Sequence, residues 1–311
     1  MDRSAPDNSP AASRHGGPGS VLGLGPAPPS FRSDRRGGRA TFVREDAVPL
    51  AEAVGFIEGV PRLPATGSVG GGRSAHSVFT VPGERSASSE SHALSVVWKR
   101  CRRGGLAAPL LRDRYYRVHR FFRELTAHET ARAASVPVSD LLALALTRTR
   151  AGGHRVEQLI RFEPNCSDAA GCLSDRTLDA FDRVAIVTSV AQTIRAFHDA
   201  GLLHGDLNLR NILVRPGSPP EAILIDLDPA PPSRLDGRSA RGNLLRLFRS
   251  WTRLSRHQAL PLPLALRWRF LRAYFGAEIE AARDFWREAE RTSRRGRWIS
   301  NPPPRPPMES R

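Results

Sequence analysis

Residues 204–211 read HGDLNLRN, and the apolar run Ile212–Val214, a Pro/Gly turn (RPGSPP) and a second apolar run, AILIDLD, follow at once. Two short apolar runs joined by a Pro/Gly turn read as a hairpin. The polar residues are thereby given places: Asp206 on the loop, Asn211 at the mouth of the first strand, Asp226 delivered by the second. The stretch before the loop, LDAFDRVAIVTSVAQTIRAFHDAG, carries Phe181, Val184, Val187, Val190, Ile194 and Phe197 at helical spacing, with Gly201 placed as a C-cap.

This order of side chains suits phosphoryl transfer from ATP. That reaction needs an acceptor hydroxyl held in line, a carboxylate to take its proton, and oxygen ligands for magnesium. Asp206 suits the base. Asn211 and Asp226 offer the amide and carboxylate oxygens a hard cation prefers. His204 is placed to brace the loop rather than to react. Taken alone, Asp206 and Asn211 equally suit a capped turn; the weight comes from their conjunction with Asp226 and with a Lys and a Glu upstream.

Strand patterns dominate the first half of the chain and helical patterns the second, which makes the expected class α+β and bilobed. Residues 1–40, rich in Gly, Pro and Ser, read as a disordered tail, and the Pro-rich 301–311 as a second one. An N-lobe spans 41–162 and a C-lobe 163–300, with the boundary near Glu163–Asn165. Within the N-lobe, AHSVFTV and ALSVVWKRC read as strands, Leu111–Leu125 as an amphipathic helix, and SVPVSDLLALALTRTR and HRVEQLIRFEP as strands joined by an AGG turn. The C-lobe closes with GNLLRLFRSWTRLSRH and a long pattern running from LALRWRF to WREAERT, both helical. In the latter, Arg alternates with Trp, Phe and Tyr. That suits an anionic bilayer surface, and suits packing of the aromatics into the lobe better. The segment GSVGGGRS comes close to a phosphate-binding P-loop, but the strand-like AHSVFTV follows where such a loop needs a helix. A hairpin over the nucleotide fits better, and a linker remains the plain alternative.

The loop and the Asp226 segment resemble the catalytic loop and metal-binding aspartate of the protein-kinase-like superfamily. Gly205 stands where regulated protein kinases carry an arginine that receives an activation-loop phosphate, so that switching is not expected; Asp228 stands where a glycine is usual, so a flipping inactive state is not expected either. HGDLNLRN followed by IDLD is closer to the lipopolysaccharide kinase family, and within it to the 3-deoxy-D-manno-octulosonic acid (Kdo) kinases. VVWKRCRRGGLAAPLLRDRYYR, RFFRELTAHE and GNLLRLFRSW are similar to further segments of that family. The resemblance covers roughly Gly70 to Tyr274. It implies a bilobed protein-kinase-like fold in which Gly70, Gly71 and Gly72 cover the ATP phosphates, with Ser74 where another glycine is more usual. Lys99 reaches the phosphates, Glu124 pairs with Lys99, and the segment at Glu163 contacts adenine through its backbone. Asp206 is then the catalytic residue, Asn211 and Asp226 hold magnesium, and His204 and Asp228 support them. The implied reaction is phosphorylation of a Kdo hydroxyl, with heptose second, on the lipopolysaccharide inner core.

The 311 residues carry 47 Lys and Arg against 31 Asp and Glu, a net charge of +16. Such a balance suits a polyanionic glycolipid acceptor of the lipid A–Kdo type and peripheral contact with an anionic membrane surface, although a solvated basic face gives the same count. Three cysteines make no disulfide framework, and Cys166 and Cys172 lack the partners of a zinc site. Neither a secretory h-region nor a spanning apolar run stands out, so a soluble or peripheral cytoplasmic protein is expected, and the resemblance implies the cytoplasmic face of the inner membrane. Nucleic acid is not the expected partner. The competing readings are an atypical small Ser/Thr kinase or ATPase working with an RNA-processing partner, and a nucleotide-binding pseudokinase. The remaining histidines carry no expected role.

Overall fold

The computed structural model describes residues 27–69, 76–82, 93–102, 113–227, 237–257 and 263–300. Gly70, Gly71, Gly72, Ser74, Asp228, most of the RRGGL segment and both terminal stretches (1–26 and 301–311) lie outside the described residues.

The N-lobe is a seven-stranded antiparallel sheet in the order β1-β2-β6-β7-β5-β4-β3. Its strands are β1 (Phe31–Arg36), β2 (Arg39–Arg44), β3 (Gly67–Val69), β4 (His76–Val81), β5 (Leu94–Arg100), β6 (Leu141–Arg148) and β7 (His154–Arg161), with helices α1 (Val48–Ala53) and α2 (His119–Ala133). The first six residues of β6, LLALAL, are all buried, as expected of a strand covered on both faces. Leu141, Leu144 and Leu146 pack with Phe121, Phe122 and Leu125 of α2. Leu142, Ala143 and Ala145 pack on the other face, with Ala51, Val54 and Phe56 in and after α1. The register shifts between Leu141 and Ala143, and this lets neighbouring residues 142 and 143 face one way.

Two features of this lobe differ from the sequence expectation. The tail expected over residues 1–40 is instead the β1–β2 hairpin from Phe31 onward, turned at Gly37–Gly38, where Gly37 has φ +56°. It belongs to the core: Phe42 meets Phe122 edge-on at 4.8 Å. The Arg44 guanidinium bonds Asp140 at 3.0 Å and Asp46 at 2.6 Å, and Arg39 bonds Glu157 at 2.6 Å. A Gly-Gly turn between strands is itself a hairpin signal, hidden here by the composition around it. The helix expected over Leu111–Leu125 begins only at His119, because Tyr115 is extended and exchanges backbone bonds of 2.8 and 2.9 Å with His154. Tyr115 and Val118 are buried all the same.

The C-lobe comprises β8 (Ser167–Asp168), α3 (Ala169–Ser174), α4 (Ala180–Asp199), β9 (Ile212–Arg215), β10 (Glu221–Leu224), α5 (Gly237–His257), α6 (Leu264–Phe275) and α7 (Ile279–Ser300). β9 and β10 form the expected antiparallel hairpin, and β8 completes a three-stranded sheet. Gly201 follows α4 with φ +79°, the left-handed residue that ends a helix cheaply only as glycine. Phe181, expected on the apolar side of α4, lies in its first turn and is 80% exposed. Gly276, φ +59°, splits the long C-terminal pattern into α6 and α7. Phe270 and Tyr274 of α6 are buried in the lobe, while the half-buried Trp268 meets Trp286 edge-on. Among the described residues no helix is long and apolar enough to cross a membrane.

Several contacts among the described residues join the lobes. The chain passes from β7 to β8 through residues 162–166, where Glu163 bonds Arg215 at 2.5 Å. Val138 bridges Leu224 in parallel, with Ser139 N–H donating to the Leu224 carbonyl at 2.9 Å. The C-terminal half of α2 contributes Ala127 and Ala131 to the C-lobe core.

Candidate active site

The loop after α4 is held by its own histidine. His204 is fully buried; its Nδ1 accepts from the Asp206 N–H at 3.1 Å and its Nε2 lies 3.0 Å from the Ile225 carbonyl. The two contacts together require a neutral ring protonated at Nε2. Two more bonds tie the loop to the segment after β10: Gly205 N–H to the Leu227 carbonyl at 3.3 Å, and Ile225 N–H to the Asn211 carbonyl at 3.0 Å. Asp226 therefore sits between anchored neighbours, and it adopts φ +52°, a conformation that aspartate tolerates better than most residues.

Asp206 reaches solvent, its side chain 63% exposed. Its backbone carbonyl accepts from Asn208 Nδ2 at 2.9 Å and Asn211 Nδ2 at 2.8 Å. Turning its amide nitrogen inward leaves Asn211 with Oδ1 as its outward-acting group. One amide oxygen and one carboxylate, from Asn211 and Asp226, are the small protein share that magnesium takes when phosphates supply other ligands. The donor set fits that ion.

Lys99 comes from β5, across the cleft, and its ammonium is ion-paired with Asp226 Oδ1. Burial works against both charges, but each partner outweighs it: Lys99 is held above its ordinary pKa and Asp226 below its own. His76, the first residue of β4, lies in the same field; burial first, then the Lys99 charge, hold its pKa down.

Glu124, on α2, does not make the pairing with Lys99 implied by the resemblance. Its carboxylate accepts instead from Gln158 Nε2 at 2.9 Å. Gln158 is buried on β7 directly across from Lys99 in the strand register, and its Oε1 accepts from the Cys101 thiol at 3.5 Å. Glu124 is only 8% exposed, and burial pushes its carboxyl up to about 7. With Lys99 committed to Asp226, an amide is the nearer and less demanding partner for a carboxyl that burial tends to protonate.

Three further residues belong to this frame and carried no sequence signal. Asn243 of α5 is buried; its Nδ2 donates to the His204 carbonyl at 2.6 Å and its Oδ1 accepts from the His204 N–H at 3.1 Å. His198, expected to have no role, has Nε2 3.2 Å from the same Oδ1 and Nδ1 2.6 Å from the Tyr274 hydroxyl. Burial holds the His198 pKa below its ordinary value. The chain from Tyr274 through His198 and Asn243 to His204 fastens the loop to α4, α5 and α6.

The lipopolysaccharide kinase (Kdo/WaaP) family model matches residues 74–274. A curated relative, the 3-deoxy-D-manno-octulosonic acid kinase of Actinobacillus succinogenes, is 31% identical over 154 residues, or 48% of this chain and 62% of that protein. The chain thus spans less than two thirds of the length of the curated relative it matches. The solved structure of WaaP in complex with acyl carrier protein is similar at a TM-score of 0.54 and 16% identity, over 82% of this chain and 98% of that one. At that identity the likeness speaks to the fold.

Proposed function

The chain belongs to the lipopolysaccharide kinase (Kdo/WaaP) family, and on that premise we propose that it transfers the γ-phosphoryl group of ATP to a hydroxyl of a Kdo residue in the lipopolysaccharide inner core. The observation that carries this reading is that the loop of Asp206 and Asn211 is bonded to the segment bearing Asp226, and Asp226 is ion-paired with Lys99 of the other lobe. Asp206 orients the acceptor hydroxyl and takes its proton as the new O–P bond forms and ADP leaves. Asn211 Oδ1 and the Asp226 carboxylate would hold magnesium, which when bound neutralises charge on the phosphates. Lys99 moves from Asp226 to the phosphate oxygens, while Glu124 keeps its bond from Gln158. Gly70, Gly71 and Gly72, in the connection between β3 and β4, would cover the phosphates with their backbone N–H groups, and Asp228 would support the Asp226 segment. The acceptor is anionic and membrane-held, which the net charge of +16 suits, and the protein works peripherally at the cytoplasmic face of the inner membrane.

The test is transfer of labelled phosphate from ATP, with magnesium, to lipid A bearing Kdo, beside a heptose-extended core. Label on the Kdo-bearing lipid supports the proposal. Label confined to the heptose-extended core moves the acceptor to heptose. Label on protein alone, or none anywhere, contradicts it.

A further inference from the structure

One face of α5 runs along the loop in step with it. Asn243 brackets the backbone of His204 with its two bonds. Ser250, seven residues on, accepts from the Leu209 N–H at 3.3 Å. Between them, at the i+3 position of the same face, stands Arg246, whose Nη1 lies 3.8 Å from Asp206 Oδ1. Bonds on either side thus fix the helix against the loop, and the guanidinium is delivered to the edge of Asp206 by a rigid element.

The contact is too long for a hydrogen bond, and the Arg246 side chain is 51% exposed. Among the described residues it has no other ion-pair partner. An exposed pair at that distance contributes little to stability, so holding the loop is a poor account of the residue. A guanidinium offers a planar fork of donors that matches a carboxylate two at a time, and half of the Arg246 side chain is open to solvent.

The two oxygens of Asp206 divide the space around it. Oδ2 faces the amides of Asn208 at 3.2 Å and Asn211 at 3.5 Å, the latter a residue assigned to the metal and the ATP phosphates. Oδ1 faces Arg246 on the other edge. With the metal assigned to Asn211 on the Oδ2 edge, the Oδ1 edge is the one left for the acceptor sugar. We infer that Arg246 reads a carboxylate on the acceptor, beside the hydroxyl that Asp206 deprotonates, and so makes the site selective for a sugar acid over a neutral sugar. This rests on the phosphotransfer reading above and specifies its acceptor.

The experiment compares the wild-type chain with Arg246→Ala and Arg246→Lys, on Kdo-bearing lipid A and on the same lipid with the Kdo carboxyl reduced to the alcohol. KM for acceptor, KM for ATP and kcat are measured for each. Arg246→Ala is expected to raise the acceptor KM at least ~10-fold on the acid, with the ATP KM changed less than twofold. Arg246→Lys falls between, and on the reduced acceptor Arg246→Ala changes the acceptor KM less than twofold. Equal losses on both acceptors, a raised ATP KM, or no effect on the acid overturns the inference while leaving phosphotransfer standing. If the wild type phosphorylates neither lipid, the proposed function falls and takes this inference with it.

Discussion

Lys99 and Asp226 come from opposite lobes and are paired with each other across the cleft, while Glu124 turns to Gln158. Asp226 is therefore the carboxylate that Lys99 keeps ionised, and its service to a metal depends on that charge. Replacing Lys99 by Met removes the main influence that opposes burial at Asp226 and raises its pKa. The acid limb of magnesium-dependent nucleotide binding then moves to higher pH, so the variant loses more affinity at acid than at alkaline pH. Calorimetric titration at several pH values checks this; a uniform loss at all of them contradicts it.

Glu124 makes stability depend on pH in the less familiar direction. Its carboxyl rises from an ordinary 4.5 to about 7 through burial, so the native state keeps a proton that the unfolded chain has released. Its contribution is fully present below pH 4.5 and is lost as pH rises toward 7. Glu124→Gln keeps an acceptor for Gln158 and removes that slope. The variant should gain on the wild type steadily between those pH values, by ~3 kcal/mol at most, measured by urea unfolding. Parallel stability curves contradict the assignment.

Asn243 serves both backbone groups of His204 as well as the His198 ring. Asn243→Leu removes the bonds that Asn243 makes to a buried N–H and a buried C=O, at about 1–3 kcal/mol each. A destabilisation of about 3 kcal/mol is expected, along with a kcat at least ~10-fold lower, because the loop carries the base. A variant as stable and active as the wild type contradicts the role.

Where the candidate site residues lie close together in the chain, their placement was legible. The spacing of His204, Asp206 and Asn211, and the hairpin that returns Asp226, place four groups through local rules alone. What escaped reading depends on contacts far apart in sequence. Gln158 is an ordinary polar residue in a strand until β7 pairs with β5, and Asn243 is an interior helical residue until α5 lies along the loop. The choice of Lys99 between Asp226 and Glu124 is decided by burial, which no spacing encodes. The β1–β2 hairpin was missed for a different reason: its Gly-Gly turn sits beside a Gly- and Pro-rich stretch whose composition outweighed it. Tyr115 shows the limit of periodicity, since its burial was right and its backbone was not.

The central claim is that Asp206 acts on the acceptor proton and has no part in holding the nucleotide. Asp206→Asn keeps the shape of the loop, whose backbone bonds to His204, Asn208 and Asn211 do not use the carboxylate. The decisive measurement is the single-turnover rate of phosphate transfer for this variant, with its affinity for ATP in the presence of magnesium measured alongside. The account predicts a rate ~10²–10⁴-fold lower with ATP affinity within about threefold of the wild type. A rate near that of the wild type, or a loss of ATP binding that matches the loss of rate, contradicts it.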